Sequence, residues 1–280
     1  MLTSGQFERA RHLALRLAGI ELVDRHRECL YRRSMRQGLL EGNGLDALLL
    51  AAEEGDPGAC QRLISLFTTN LTEFFRHPTQ FDIAAAHALR AAKRIRQVRC
   101  WSAAAATGEE PYSLAMALTG IFQPQEPPVT ILATDIDVDA LAVARRGEYS
   151  IRALAGLESE RVEQFFTETS ANLWSVKPMV RRLVEFSALN LADVTWQNIE
   201  GPLDVIFCRN VLMYLESSYR YSVAERLASL LAPDGLLILD PTEYLGKAGH
   251  FFVRVASAGV YSRRRAACSG ATWESGLLHR

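Results

Sequence analysis

From about residue 95 onward, short apolar runs alternate with helical stretches, and this alternation restricts the fold more than any other feature of the sequence. The runs VRCWSA, VTILATD, LVEFSALN, LDVIFCRN and GLLILD have the length of strands. Amphipathic stretches such as EEPYSLAMALTGIF and SVAERLASLLAPDG separate most of them. Continuous apolar strands joined through helices form a parallel sheet that is covered on both faces. We therefore predict a doubly wound α/β domain.

The C-terminal segment FFVRVASAGVYSRRR alternates with a period of two around Gly259, which predicts an antiparallel hairpin at the sheet edge. A parallel sheet closed by such a hairpin is the Rossmann-like sheet of class I methyltransferases. Between ARRGEYS and LVEFSALN, the helical ALAGLESERVEQFF and the strand-like LWSVKPMVRRLVEF predict a small β-containing insertion at about residues 150–185. We place this domain at residues 81–266 and predict a flexible tail over 267–280.

Residues 1–80 are predicted to form a small all-helical domain and a linker. FERARHLALRLAG carries an apolar stripe and ends at Gly19, a second helix follows Asp24, and GLDALLLAAEEG and ACQRLISLFTTN supply two more. Residues 1–40 contain eight arginines and four acids. This local excess of positive charge fits either an acidic partner or a solvated helix face.

Composition excludes several classes of function. A net charge of −1 gives no support to nucleic-acid binding. The five cysteines form no C-x-x-C pair, which argues against a zinc site or a disulfide framework and fits a reducing compartment. The charged N-terminus differs from a signal peptide, and no apolar run reaches the roughly 20 residues of a membrane span. We expect a cytoplasmic monomer that binds no metal and does not insert into membranes.

The segment CWSAAAATGEEPYSLAM follows the first predicted strand, where doubly wound sheets bind ligands. The acids and Pro111 are what a helix start prefers, so part of the segment has a purely structural explanation. The alanines at 103–106 would let a ligand lie against the backbone. One glycine, Gly108, replaces the G-x-G-x-x-G of dinucleotide sites, and Glu109 and Glu110 would repel an anion. The segment favours a cationic ligand over a phosphate.

The second predicted strand ends in ATDID. An acid at this strand tip is placed to accept hydrogen bonds from ribose hydroxyls, as in dinucleotide folds. Asp135 fits that role best, because Asp137 is expected to begin the next helix. S-adenosylmethionine has a ribose, an adenine and a positively charged sulfur but no phosphate. It therefore matches both segments.

Seven segments of the chain resemble, in the same order, the CheR family of chemoreceptor glutamate O-methyltransferases. They are TTNLTEFFRHPTQF, WSAAAATGEEPYSLAM, ATDID, ARRGEYS, VEFSALNL, LDVIFCRNVLMYL and LAPDGLLIL. The resemblance runs from about Gly19 to Arg263 and implies S-adenosylmethionine as methyl donor, with S-adenosylhomocysteine as product. It implies that Tyr214 lies near the methyl group, and we predict catalytic roles for Arg76 and Tyr214. The cofactor-binding residues that it implies are Asn70, Thr72, Arg76, Glu110, Asp135, Asn190, Leu191, Arg209 and Asn210.

The resemblance also implies a substrate, the cytoplasmic helices of methyl-accepting chemoreceptors, which the helical domain and the insertion would contact. Arg25, Arg32 and Arg36 recur at helical spacing and could form the docking face. The sequence departs from the family pattern at two places, in the basic helix proposed for docking and in the segment around Glu243. Ser34 and Gly38 stand where the family usually has leucine or arginine, and a helix-interior glycine costs about 1 kcal/mol. LDPTEYL replaces the usual Gly-His-Ser-Glu pattern but keeps Glu243, which leaves flagellar chemotaxis and other chemosensory pathways both open.

Two alternatives remain at this level. One is a methyltransferase of the same fold that acts on another substrate. The other is a non-catalytic module that binds S-adenosylmethionine and serves as a scaffold in a receptor array. A dehydrogenase is disfavoured by the single glycine of the first turn, and the absence of an N-P-P-Y-type motif disfavours methylation of nucleic acids.

Overall fold

A computed structural model of the chain describes residues 1–94, 97–197 and 199–264. Four helices make up the N-terminal region: α1 (Ser4–Ala18), α2 (Arg27–Arg36), α3 (Gly44–Glu53) and α4 (Pro57–Phe67). Thr3 and Gln6 form a capping box at the start of α1, and Gly19 ends the helix in the left-handed conformation. The apolar faces of these helices share one core around Phe7, Leu49 and Leu63.

The prediction that Gly38 lies inside the basic helix is wrong. Helix α2 ends at Arg36, and Gly38 lies in the following turn with a φ of +69°, a conformation that glycine adopts without strain. The expected cost of a glycine inside the helix therefore does not arise. Ser34, the other departure in this helix, is completely buried.

The main sheet has seven strands in the order β6-β2-β1-β7-β8-β10-β9 within the described ranges. Their bounds are β1 (Val98–Ser102), β2 (Val129–Asp135), β6 (Val184–Ala188), β7 (Leu203–Phe207), β8 (Leu231–Ile238), β9 (Phe252–Ala256) and β10 (Val260–Arg263). Strands β6, β2, β1, β7 and β8 are parallel, and β10 pairs antiparallel with both β8 and β9. The predicted parallel sheet with an antiparallel C-terminal hairpin is confirmed.

Helices cover both faces of this sheet. They are α5 (Pro78–Ala92), α6 (Glu109–Phe122), α7 (Val138–Arg146) and α10 (Ser217–Leu230), with 3-10 turns at Leu212–Tyr214 and Gly246–Phe251. Helix α5 belongs to this layer, because Gln80 is fully buried and donates to the carbonyls of Leu239 and Ala258. The boundary that the sequence suggested at residues 80 and 81 falls inside α5. No helix in the described ranges is long and apolar enough to cross a membrane.

A second sheet of three antiparallel strands lies between α7 and β6. It contains β3 (Glu148–Ser150), β4 (Phe166–Ser170) and β5 (Leu173–Val176), with α8 (Ser159–Phe165) and α9 (Pro178–Arg181). The segment LWSVKPMVRRLVEF, expected as one strand-like unit, is divided into β5, α9 and β6, because Pro178 begins a helix in its middle. The predicted tail at 267–280 and the last two residues of the predicted domain lie outside the described residues.

Candidate active site

A cavity opens at the carboxyl ends of β1, β2 and β7, where the order of the parallel strands reverses. It encloses about 980 Å³, including space that is open to solvent. Residues of the helical region, of the linker before α5 and of the sheet line it together. The residues that the sequence motifs single out and that line this cavity are Asn70, Thr72, Arg76, Glu110, Asp135, Asn190, Leu191, Arg209, Asn210 and Tyr214.

The turn after β1 forms one wall with very small side chains. Ala103, Ala104 and Ala106 line the cavity, whereas Ala105 is completely buried in a cluster with the apolar residues of β2 and α7. Gly108 has a φ of +99°, and a Cβ atom there would lie 2.7 Å from the hydroxyl of Tyr149. The glycine therefore permits close packing against the second sheet.

Glu110 faces the cavity and Glu109 does not, contrary to the expectation that both carboxylates act on the ligand. Glu110 accepts a hydrogen bond from the Ser102 hydroxyl at 2.8 Å and pairs with Arg209 at 3.2 Å. Burial raises the pKa of Glu110, and the Arg209 charge opposes that shift. Glu109 accepts from the Thr107 hydroxyl, and burial also raises its pKa. The acidic character of this wall comes from one carboxylate that already has a cationic partner.

Asp135 lies at the tip of β2 and is 8% exposed. One carboxylate oxygen accepts from the backbone N–H of Ala106 at 2.8 Å, and the other accepts from that of Asp137 at 2.9 Å. Burial raises the pKa of Asp135, and these backbone hydrogen bonds oppose the shift. Each oxygen keeps acceptor capacity, since a carboxylate has about four lone-pair sites.

Asp137 begins α7 as predicted, and it also joins the helical region to the sheet, which the sequence did not reveal. Its side chain caps the helix by accepting from the N–H groups of Asp139 and Ala140. The same carboxylate accepts from the hydroxyls of Ser65 and Thr68 at 2.8 and 3.1 Å. The amide of the cavity-lining Asn70 donates to it at 2.7 Å. Asp137 therefore holds the end of α4 and the linker beside Asp135.

Arg209 and Asn210 form the wall after β7. Arg209 is 5% exposed, donates to Glu110 and to the carbonyl of Arg76, and its Nε has no partner in the described part of the chain. Asn210 has a φ of +57° and donates through its side-chain amide to Asp240 at 3.0 Å. Because this backbone conformation is uncommon outside glycine, other groups must hold it.

Glu243 supplies that support. Its carboxylate accepts from the backbone N–H groups of Asn210, Val211 and Met213 in the turn after β7, and from the N–H of Asp240. Glu243 is 7% exposed, and burial raises its pKa against the opposing effect of these hydrogen bonds. The sequence showed that Glu243 is kept in the family pattern, but it gave no sign of this function.

Arg76 lies on the irregular linker between α4 and α5. Its neighbours Phe75 and His77 both have positive φ values, 52° and 62°. Phe74 packs edge-on against Tyr149 and Phe166 of the second sheet, and Phe75 packs against Phe81 of α5. The buried phenylalanines fix the linker backbone, while one third of the Arg76 side chain stays exposed at the cavity.

Two further cavity residues, Asn190 and Tyr214, contact the helical region, and a third, Leu191, contacts helix α10. Asn190 donates from its side chain to the carbonyl of Leu17 in α1 and accepts from the N–H of Ala192, so its amide is already engaged. The carbonyl of Leu191 accepts from Arg226 of α10. Tyr214 is half-buried, and its carbonyl accepts from the N–H of Glu21. These contacts explain the presence of the residues at this interface independently of any ligand.

Comparison with known proteins identifies the family. A family model described as "CheR methyltransferase, SAM binding domain" matches residues 70–261. The chemotaxis protein methyltransferase 2 of Pseudomonas aeruginosa is 38% identical over 263 residues, which is 93% of this chain and 93% of that protein. The chemotaxis protein methyltransferase of Salmonella typhimurium is 36% identical over 249 residues, 86% of this chain and 84% of that protein. The chain therefore belongs to the CheR methyltransferase family.

Proposed function

We propose that this chain transfers the methyl group of S-adenosylmethionine to glutamate side chains of chemoreceptors and so forms methyl esters. The observation that carries the proposal is the convergence of the motif residues of five separate sequence blocks on one cavity at the switch point of the sheet. The family match over residues 70–261 supports the methyl donor, and the names of the relatives support the class of substrate.

The residues of the cavity fit a nucleoside with a cationic centre. Asp135 can accept ribose hydroxyls in addition to its two backbone donors, and the alanines of the first turn leave room for a flat ligand beside them. The start of α6 carries Glu109 and Glu110, which makes it a poor phosphate site. When bound, S-adenosylmethionine supplies an electrophilic methyl group on a positively charged sulfur.

A glutamate acceptor needs no general base. Its pKa is near 4.3, so the carboxylate is already ionised at pH 7. The residues of the chain must then align the acceptor and exclude water from it. We assign the alignment to Arg76, which lines the cavity and whose guanidinium can pair with a carboxylate. Tyr214 would hydrogen-bond within the same cavity.

For docking, we propose the positively charged face of the N-terminal region. Arg32 and Arg36 lie on α2, and Arg25 lies in the 3-10 turn before it; all three are exposed. Arg32 already pairs with Glu28 at 2.9 Å, so this face offers less free charge than its arginine count suggests. A docking face of this kind acts mainly on encounter and orientation, and methylation of receptor fragments should fall as salt is raised. An unchanged rate would contradict this assignment.

The first experiment is a calorimetric titration of S-adenosylmethionine and S-adenosylhomocysteine into the protein. We expect both to bind the wild type and the exposed-site control Asp139→Asn, and we expect Asp135→Ala to weaken both by about 100-fold, as the loss of a charged hydrogen bond implies. Absence of binding to the wild type would contradict the site assignment.

The second experiment adds receptor cytoplasmic fragments and donor with a labelled methyl group. Label that appears on the fragment and is released by mild alkali indicates a methyl ester. Fragments with alanine in place of the acceptor glutamates are the control and should stay unlabelled. Cofactor binding without transfer to any fragment would favour the scaffold alternative, and transfer to a different acceptor would favour a methyltransferase with another substrate.

A further inference from the structure

We infer that Asp240 is a positioning residue of this active site, because its carboxylate ties the linker that carries Arg76 to the loop after β7. The inference rests on the proposed function, since it assigns Asp240 an effect on the methyl transfer. Asp240 lies two residues after the end of β8 and three residues before Glu243.

The two carboxylate oxygens of Asp240 have different partners. Oδ1 accepts from the backbone N–H of Thr242 at 3.0 Å and from its hydroxyl at 2.6 Å, which closes a local turn around Pro241. Oδ2 accepts from the Asn210 amide at 3.0 Å and lies 3.3 Å from Nε2 of His77 and 3.7 Å from Nη2 of Arg76. One oxygen shapes the turn, and the other holds cavity residues.

Asp240 is 2% exposed, so its charge is little screened by water. Burial raises the pKa of its carboxyl, but the hydrogen bonds from Thr242 and Asn210 and the neighbouring His77 outweigh burial, and the pKa lies well below its usual range. The carboxylate is therefore ionised at neutral pH. It is the one carboxylate within 4 Å of the Arg76 guanidinium in the described ranges.

The backbone conformation of the linker around Arg76 requires contacts that hold it in place. Phe75 and His77, on either side of Arg76, have positive φ values that persist where the surrounding structure holds them. Asp240 contacts two consecutive linker side chains, Arg76 and His77, and Arg209 holds the Arg76 carbonyl at 2.7 Å. Backbone and guanidinium of Arg76 are thus fixed by separate groups. Loss of Asp240 would release the guanidinium while leaving the backbone in place.

The test is Asp240→Asn, measured as methyl transfer at saturating donor and receptor fragment. The asparagine oxygen can keep the Thr242 bonds, but its NH2 group would face the donors of Asn210, His77 and Arg76. We expect kcat to fall about tenfold, with little change in KM for the receptor. Asp234→Asn, at an exposed position in β8, the strand that precedes Asp240, is the matched control and should retain wild-type kcat.

A purely structural role predicts a different result, namely a lower melting temperature with kcat per folded molecule unchanged, and that result would overturn the inference. A double-mutant cycle with Arg76→Lys adds a second criterion: the effects should be less than additive, because both changes act through the same guanidinium. Full additivity would also overturn it. If the wild type itself fails to methylate receptor fragments, the proposed function fails, whereas a wild-type rate in Asp240→Asn contradicts this inference alone.

Discussion

The two walls of the cavity are built in different ways. On the sheet side, Glu110, Asp135 and Arg209 are at most 8% exposed, and each makes two or more polar contacts within the fold. On the linker side, residues 68–77 are all described and contain neither helix nor strand, and Leu71 is 80% exposed. One wall is an extension of the sheet, whereas the other is a segment held against it by side chains.

The difference suggests that the two walls have different functions. The sheet-side wall is suited to binding a cofactor of constant shape, because contacts within the protein fix its polar groups. The linker wall carries the residue that we assign to the acceptor, and side-chain contacts rather than strand hydrogen bonds hold it. Asp137 holds Asn70, Asp240 holds Arg76, and the Arg33 side chain of α2 donates to the carbonyls of Leu66, Phe67 and Thr68. Changes at Arg76 should therefore act on turnover more than on cofactor affinity.

The largest effect is expected for Arg76→Ala. Removal of the guanidinium should lower kcat on the order of 100-fold, as for other residues that orient charge at a reacting centre, while the Kd for S-adenosylhomocysteine rises much less. Methyl-transfer assays and calorimetry on one preparation measure both quantities. Arg94→Ala, an exposed arginine at the far end of the sheet, is the control. A near-wild-type kcat would show that Arg76 takes no part in the mechanism. It would also contradict the proposal that the two walls have different functions.

An intermediate effect is expected for Asp137→Ala, which detaches the linker wall from the sheet. Loss of the hydrogen bonds from Ser65, Thr68 and Asn70 should raise the KM for S-adenosylmethionine about tenfold. Asp56→Ala removes a comparable helix cap, at α4, without any contact to the cavity. If both variants lose stability by about 1 kcal/mol and neither changes KM, Asp137 acts solely as a cap.

The smallest effect is expected for the pH dependence of cofactor binding at the sheet-side wall. Burial raises the pKa of Asp135, so this carboxyl takes up a proton at a higher pH than an ordinary aspartate. A ribose needs the ionised acceptor, and affinity for S-adenosylhomocysteine should therefore fall as pH is lowered into the range in which this carboxyl takes up a proton, and stay flat at higher pH. Calorimetry at several pH values measures the trend. Asp135→Asn should bind weakly at every pH, and an equal slope in this variant would point to Glu110 instead.

Much of this architecture could be predicted from the sequence, because strand length and alternation determine the sheet, and motif residues at strand ends meet at one edge. The remaining features depend on contacts between distant segments. The amide of Asn190 is engaged by Leu17, 173 residues away in sequence, and Asp137 receives Asn70 from 67 residues upstream. Glu109 turns away from the cavity because Thr107 binds it locally. Periodicity and motif spacing contain no information about such partners.

The carboxylate of Glu243 has a consequence for biosynthesis. Every residue that lines the cavity lies at or before Leu215, yet the turn after β7 takes its shape from hydrogen bonds to Glu243. During synthesis from the N-terminus, a nascent chain therefore contains the whole lining before it contains the group that orders this turn. We expect the ability to bind cofactor to appear late in translation, after the segment beyond β8 has left the ribosome.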